Sequence, residues 1–401
     1  MNNIGDKSER YCTGCGACVC ICPVGAISYK INENGFYQAF VDSNKCVKCG
    51  KCKKVCARFL KDEEFGEDIK KGTLYSVKSK KSNVIETCTS GGIAYEIAKQ
   101  GIENGYYIIG TVYNYNTNKA EMSIAKNIDE IEKYKGSKYI QSSTADVYGQ
   151  MLEICKEDCN RKFIVFGMPC QILGLSKLLE KNKISNEVIK IDLFCHGVPS
   201  YLVWEKYLEE KEFSNIEKVN FRSKHFSWHD FCIEIKDKNG YYYGNSENDD
   251  FYKAFFDNIL LNKACFTCKS RKEYSEADIR LGDFWGKRYI DNDRGISAVV
   301  VVTDKGKAIL EDINDKIELI SQVDIEECLK RQSVEDYPNQ KLSEWAFCEL
   351  KKNSLNSTIK MYRRRFTIKK KIKIKVKECT RMLPITLKKK IRIVVNKWRK
   401  F

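Results

Sequence analysis

Residues 12–23 read CTGCGACVCICP, and residues 46–56 read CVKCGKCKKVC. Both follow the spacing C-x2-C-x2-C-x3-C. The first run supplies Cys12, Cys15, Cys18 and Cys22, with Pro23 directly behind; the second supplies Cys46, Cys49, Cys52 and Cys56 without the proline. Short C-x2-C steps wrap the backbone tightly around a small inorganic core, and iron in such a core takes one soft thiolate per metal. Zinc also accepts C-x2-C pairs, but two four-cysteine runs, the first closed by proline, fit a pair of 4Fe–4S clusters far better.

In proteins with two such clusters, the fourth cysteine of each run ligates the other run's cluster. The spacing therefore assigns Cys12, Cys15, Cys18 and Cys56 to one cluster and Cys46, Cys49, Cys52 and Cys22 to the other. Gly14, Gly16 and Gly50 lie between ligands, where a small residue lets amides approach sulfur. Cys20 is surplus to both sets. Between the runs, AISYKINENGFYQAFVD alternates about Asn34-Gly35, the signature of a β-hairpin. Residues 1–60 are thus expected to form a two-cluster ferredoxin-like domain of bacterial type, followed by a charged linker, KDEEFGEDIKKG, at 61–72.

Residues 73–345 change character. LYSVKS, YYIIGTVYN, KFIVFGMPCQ and VIKIDLFCHG read as strands, the third running into a turn. IAYEIAKQGIENG, IDEIEKYKG, SSTADVYGQMLEICKE and ILGLSKLLEKN read as helices. Strand–helix alternation predicts a largely parallel or mixed sheet with helical cover. Two strands end in reactive groups, Gly167-Met168-Pro169-Cys170 and Phe194-Cys195-His196-Gly197, and ligands bind at such carboxyl ends in open α/β sheets. Thr89-Ser90-Gly91-Gly92 opens a helix, as a phosphate cradle or a simple cap. Neither G-x-G-x-x-G nor G-x4-G-K-[ST] is present, so a standard dinucleotide fold or nucleotide hydrolase is poorly supported. Cys265 and Cys268 form one more C-x2-C. With Cys170 and Cys195 they supply four thiolates, enough for a third cluster, in competition with Cys88, Cys155 and Cys159.

Twenty cysteines in 401 residues, with no apolar leader in MNNIGDKSER, predict a reduced, cytoplasmic chain without structural disulfides. Scattered Cys232, Cys328, Cys348 and Cys379 are expected to be small buried hydrophobes. The net charge of +16 is concentrated at the end: residues 351–401 hold 20 Lys/Arg against Glu378, so the remainder is near neutral, at −3.

The ordered landmarks resemble the coenzyme F-420 hydrogenase/dehydrogenase beta-subunit family. They are Ser90-Gly91-Gly92; Lys138-Tyr139 with Gln141-Ser142; Gly167, Pro169, Cys170 and Gln171; Cys195-His196-Gly197; Cys265 and Cys268; and Gly282-Asp283 with Trp285. The resemblance covers roughly residues 8–300 and stops before the tail. It implies FAD in the central domain, contacted by Ser90, Gly91, Gly92, Lys138, Tyr139, Gln141 and Ser142. It also implies a third cluster near the flavin on Cys170, Cys195, Cys265 and Cys268. Relatives with a fused ferredoxin module often serve polysaccharide metabolism, and some do not use the deazaflavin coenzyme. The expected architecture is therefore α+β/α/β: a small bacterial-type ferredoxin module, a larger mixed α/β flavoprotein domain and a basic, partly helical tail.

Function follows in two versions. In the first, an FAD-dependent iron–sulfur oxidoreductase passes electrons between an external carrier such as ferredoxin and an organic substrate. His196 is the candidate for proton transfer and Asp283 the second. In the second, the chain is a non-catalytic electron-transfer subunit serving a partner enzyme. In the tail, apolar residues recur at helical spacing at Leu355, Ile359, Tyr362 and Phe366, and again from Leu383 to Phe401 beyond Pro384, with Ile368–Val376 readable as a strand. A basic amphipathic helix matches a segment on an anionic membrane surface. Packing on the body or on an acidic partner is the rival, and nucleic acid is disfavoured because no recognition fold accompanies the tail.

Overall fold

The computed structural model describes residues 2–6, 11–272, 274–332, 335–338 and 340–381. The hairpin forms as the alternation predicts: β1 (Ile27–Ile31) pairs antiparallel with β2 (Tyr37–Val41). The segment read as a linker is instead built into the fold. β3 (Glu67–Asp68) pairs antiparallel with Tyr274–Ser275, and Phe65 and Ile69 are buried. Those two apolar side chains interrupt the charged stretch, and burying them outweighs leaving it free.

The large domain is centred on a nine-stranded sheet. Its strands are β4 (Thr73–Ser79), β5 (Tyr107–Asn114), β6 (Lys119–Ala125), β7 (Ser142–Ser143), β8 (Phe163–Gly167), β9 (Val188–Leu193), β14 (Ile279–Asp283), β15 (Ser297–Val301) and β16 (Ile317–Val323). The spatial order is β16-β4-β15-β14-β9-β8-β5-β6-β7. The centre, β14-β9-β8-β5, is parallel, and antiparallel strands extend it on both sides. Central strands covered on both faces read as apolar runs rather than alternating ones. Phe163-Ile164-Val165 of β8 and Ala298-Val299-Val300 of β15 are buried throughout.

β9 and β14 are locked in register by one buried pair. Arg280 lies opposite Asp192 across the parallel ladder and bonds it through Nε at 2.7 Å and Nη2 at 2.6 Å, with both side chains fully buried. Ser275 Oγ adds a third bond to Asp192 at 2.8 Å. This pair sits just before the strand ends from which Cys195 and Asp283 emerge.

Two helix starts differ from the sequence reading. The helix after β8 begins at Pro169 and runs to Lys181, so Cys170 lies in its first turn rather than in a preceding loop. Proline at the first helical position explains this, since its missing N–H is not needed there. Ser142–Ser143 pair with β6, and the next helix, Ala145–Glu157, starts after them. A separate antiparallel sheet, β10 (Lys218–Ser223), β11 (Cys232–Asp237) and β12 (Gly240–Asn245), stands beside the large one, with β13 (Tyr274–Ser275) as the partner of β3.

The N-terminal module is not a separate bead. Ile4, Ala17, Ile21, Ile27, Ala39 and Val55 share one apolar core with Val147, Met151, Ile172 and Leu175 of the large domain. At the other end, helices Gln340–Lys352 and Leu355–Arg364 fold back on the body. Leu355, Ile359, Tyr362 and Phe366 are all buried there, the packing alternative for this half of the tail. Ile368–Arg381 is helical, not a strand, and Ile368, Ile372 and Val376 face solvent. The stretch from Leu383 to Phe401 lies outside the described residues. Among the described residues no helix is long and apolar enough to cross a membrane.

Candidate functional site

The two cysteine runs interleave. Cys12, Cys15, Cys18 and Cys56 line one small internal cavity, and Cys22, Cys46, Cys49 and Cys52 line another. These are the two interleaved sets that the spacing assigns. Burial pushes the thiols of Cys12, Cys15 and Cys18 up, and Cys56 up to about 12, so the sulfurs carry protons until a metal displaces them. Backbone amides already point at sulfur: Gly14 N–H donates to Cys12 Sγ at 3.4 Å and Ala26 N–H to Cys22 Sγ at 3.2 Å. Asn3 Nδ2 reaches Cys46 Sγ at 3.5 Å. Such bonds tune cluster potential. Cys20 turns away from both sets and donates to the Ala145 carbonyl at 3.2 Å.

The third set is assembled by the sheet. Cys170 follows β8, Cys195 follows β9, Cys265 ends the turn Lys263–Cys265, and Cys268 precedes the short helix Lys269–Lys272. All four line one cavity. Burial raises the Cys170 thiol first, and the neighbouring sulfurs of Cys268, Cys195, Cys15 and Cys265 raise it further. Cys15 of the first set is therefore also a neighbour of the third, and a Cβ on Gly174, one turn along from Cys170, would come within 2.8 Å of Cys15 Sγ. Cys18 feels Cys52 of the second set in the same way. The competitors separate: Cys155 is buried in the shared core, Cys159 is exposed, and Cys88 lies elsewhere along the cavity wall. Of the scattered cysteines, Cys232 and Cys328 are buried as expected. Cys348 is exposed, because it falls on the outer face of its helix, and the side chain of Cys379 lies outside the described residues.

The cavity measures about 1100 Å³, above the usual size for a small-ligand site. Nine Lys/Arg side chains line it against three Asp/Glu. Ser90, Gly92, Lys138, Tyr139, Gln141 and Ser142 all border it, but their polar atoms are largely engaged within the protein. Ser90 Oγ donates to the Ile296 carbonyl at 2.8 Å. Gly91 packs so closely on the sheet that a Cβ would meet the Val77 carbonyl at 2.6 Å, which excludes any larger residue. Lys138 Nζ is held by the carbonyls of Lys133, Tyr134 and Lys135 at 3.0–3.1 Å, while burial pulls its pKa down to about 7. Ser142 Oγ accepts from Gln171 Nε2 at 2.9 Å.

Gln141 has a use that the sequence did not reveal. Its Oε1 accepts from Tyr37 N–H at 2.7 Å, and its Nε2 donates to the Thr13 carbonyl at 2.9 Å, stitching the module to the cavity wall. Gly14 sits at φ +70, and a Cβ there would collide with Gln141 Nε2 at 2.2 Å. This is a second reason for glycine beside the cluster. Thr144 Oγ1 makes a parallel stitch to the Cys15 carbonyl at 2.9 Å.

His196 borders the cavity but is enclosed. Nε2 lies 2.5 Å from Asn258 Oδ1, and the ring packs 4.7 Å from Phe255. Burial pushes its pKa down to about 4, so the ring is neutral at pH 7 and is a weaker proton carrier than an ordinary histidine. Asp283 is committed: it pairs with Arg222 and accepts from Trp228 Nε1 at 2.6 Å. Arg222, on β10, is the cavity residue that sequence reading missed. Its guanidinium lies 4.3 Å from the Phe231 ring centre and 4.7 Å from that of Trp285, and its buried Nε and Nη2 have no hydrogen-bond partner among the described residues. A lone arginine in an alternating strand carries no distinguishing signal before the fold brings it to Asp283.

Two four-cysteine sets in a small module, packed against a domain with a cation-lined cavity at the carboxyl edge of its parallel strands, are the features of an iron–sulfur redox protein. Residues 160–325 match the family model for the carboxy-terminal region of the coenzyme F420 hydrogenase/dehydrogenase beta subunit, and residues 11–58 match the 4Fe-4S dicluster domain. The chain thus carries a carboxy-terminal domain of that beta-subunit type behind an N-terminal dicluster domain. It is 24% identical over 356 residues to one of the subunits of the F(420)H(2) dehydrogenase of Methanosarcina mazei, covering 84% of this chain and 94% of that one. It is 25% identical over 344 residues to the coenzyme F420-dependent sulfite reductase of Methanocaldococcus jannaschii, covering 82% of this chain and 49% of that one. The chain thus spans about half the length of the sulfite reductase. A chain of the F420-reducing [NiFe] hydrogenase complex from Methanosarcina barkeri superposes with a TM-score of 0.46 at 17% identity, over 73% of this chain and 93% of that one.

Proposed function

We propose that the chain is the iron–sulfur electron-transfer subunit of an oxidoreductase, moving electrons between the dicluster module and a redox cofactor in the large cavity, in the service of a partner enzyme. The observation that carries it is the closeness of the first cysteine set to the third: Cys15 Sγ lies 2.8 Å from where a Cβ on Gly174 would stand, one turn along the helix whose first turn holds Cys170. Cys18 of the first set and Cys52 of the second share one buried cluster, the first set packs on the helix that begins beside Cys170, and Cys170 lines the cavity. The matched relatives, a dehydrogenase subunit and a longer reductase, favour a subunit over a self-sufficient enzyme. They are named for F420-linked redox reactions, so the polysaccharide reading is set aside.

The cavity residues fit a phosphate-bearing aromatic cofactor of the flavin class, FAD included. The excess of cations suits phosphate, the N-terminus of helix Ile93–Glu103 borders the space with Thr89 and Ser90, and Arg222 keeps two buried donors unpaired. When bound, such a cofactor supplies the exchange between one-electron and two-electron chemistry. The protein's part is to hold it against Cys170, Cys195, Cys265 and Cys268 and to keep Arg222 in place through Asp283.

Anaerobic reconstitution, iron and flavin analysis and an EPR-monitored redox titration test this. The expected result is iron for three four-iron clusters, bound flavin, and no turnover of organic acceptors until a partner is added. Iron for two clusters or fewer after full reconstitution overturns the three-set relay. Turnover by the isolated chain with an artificial donor would restore the self-sufficient enzyme. For the tail, the exposed Ile368, Ile372 and Val376 beside lysines support peripheral contact with an anionic surface.

A further inference from the structure

The three cysteine sets differ in how they meet the outside. The first lies against the helix Pro169–Lys181, and the third lines the cavity. The second is at the surface: Cys49 is exposed, and around it Val47 is 61% and Val24 44% exposed. Lys45, Lys48, Lys51 and Lys54 are exposed on the same loop, and residues 42–54 hold five lysines against one acid, Asp42. The loop is built rather than loose. Asn2 Nδ2 donates to the Lys48 carbonyl at 3.0 Å, Asn3 reaches Cys46, and Gly50 packs on Asn2.

We propose that this lysine-ringed face around Cys49, Val47 and Val24 is the docking surface for an acidic one-electron carrier protein. The proposal rests on the reading of Cys22, Cys46, Cys49 and Cys52 as ligands of the second cluster. It adds where the electron crosses and the charge of the partner. A small apolar centre permits close approach, and a cationic rim steers an anionic partner and fixes its orientation. Redox encounters of this kind use small interfaces, which matches a patch carried by one loop and the Pro23–Val24 turn. In each encounter the carrier and the chain exchange a single electron; one is oxidised and the other reduced, with no bond made or broken. A self-contained surface helix or a nucleic acid would not need the lysines gathered around a thiolate site.

The test uses the reconstituted full chain and a ferredoxin of strongly negative net charge as probe. Stopped-flow reduction is measured against ionic strength, and complex formation is measured separately by titration calorimetry with the probe in its oxidised state. The variant Lys45→Glu/Lys48→Glu/Lys51→Glu/Lys54→Glu is compared with the glutamine version of the same four changes, and with Lys305→Glu/Lys307→Glu on another exposed helix. The expected result is a fall of about 10-fold or more in the second-order rate at low salt for the glutamate variant. The salt dependence should reverse, the rate rising as salt screens the repulsion, and heat of binding should vanish, while the control pair and reduction by dithionite stay unchanged. The glutamine variant should fall between. Unchanged rate and binding in both four-site variants, with full iron content, overturn the docking face. Equal rates with a basic carrier such as a cytochrome c also overturn it. Absence of a second four-iron EPR signal in the unmodified holo-chain overturns the cluster assignment beneath it, which keeps the two failures apart.

Discussion

The N-terminal module and the large domain hold cysteines in opposite ways. In the module, every ligand of a set lies between Cys12 and Cys56, and turns of the chain bring the sulfurs together. In the large domain the four cysteines run from Cys170 to Cys268 and line one cavity: Cys170 and Cys195 at the ends of the parallel strands β8 and β9, Cys265 and Cys268 on a turn beside them. The module's site is written in spacing; the domain's site is written in topology. The first therefore depends on its metal for order, and the second depends on its sheet.

The sharpest way to break this contrast is to remove one ligand from each kind of site. Cys195→Ser should cost one cluster's iron, leave the module's EPR signals intact and abolish electron transfer between module and cavity cofactor. Cys49→Ser should remove a module signal and leave the third. Iron analysis and EPR on both variants check this; loss of all signals in either would show that the sites are one unit.

Next in size is the register pin. Asp192→Ala leaves Arg280 charged, buried and without its partner, and breaking a buried pair in this way costs about 3–5 kcal/mol. The loss should appear in denaturant unfolding of the large domain, together with a weakened third cluster. Iron chelation of the unmodified chain should do the reverse. Hydrogen exchange should rise across residues 11–58 while β8 and β9 stay protected.

That contrast also explains what could be read in advance. The eight module cysteines, the hairpin about Asn34-Gly35 and the strands β8 and β9 follow from spacing and periodicity, because the forces that shape them are local. The third set could be gathered only by counting thiols and by resemblance, since nothing in Cys265-x2-Cys268 points to Cys170. Gln141 looked like a cofactor contact because it lies in a motif beside the cavity; its bonds to Thr13 and Tyr37 depend on a module packed more than a hundred residues away in sequence. Arg222 could not be found at all, since its role comes from Asp283 on another sheet. The linker reading failed for the same reason: Phe65 and Ile69 find their burial only against the finished domain.

Gln141→Ala sharpens the comparison at the junction. It strips partners from the Tyr37 N–H and the Thr13 carbonyl, and a buried unsatisfied group costs roughly 1–3 kcal/mol. The effect should be local: faster exchange at Tyr37 and in β2, with the large sheet unchanged. Equal destabilisation throughout would mean that module and domain unfold together.

The smallest expected effect is in the tail, where the two halves of one basic segment contrast. Ile359 is buried against the body, whereas Ile372, in the next helix and within the lysine-rich stretch, is 57% exposed. Ile372→Ser removes apolar surface that water already reaches, so stability should change by less than about 0.5 kcal/mol. If its exposure instead reflects a face kept for an anionic bilayer, binding should respond where folding does not. The apolar face must enter the headgroup region for the lysines beside it to act together, and each of those lysines contributes roughly 1 kcal/mol near such a surface. Co-sedimentation of the full chain with anionic vesicles, with and without Ile372→Ser, should therefore show weaker binding of the variant at an unchanged unfolding midpoint. Equal binding by both chains would leave Ile372 without a part in membrane contact.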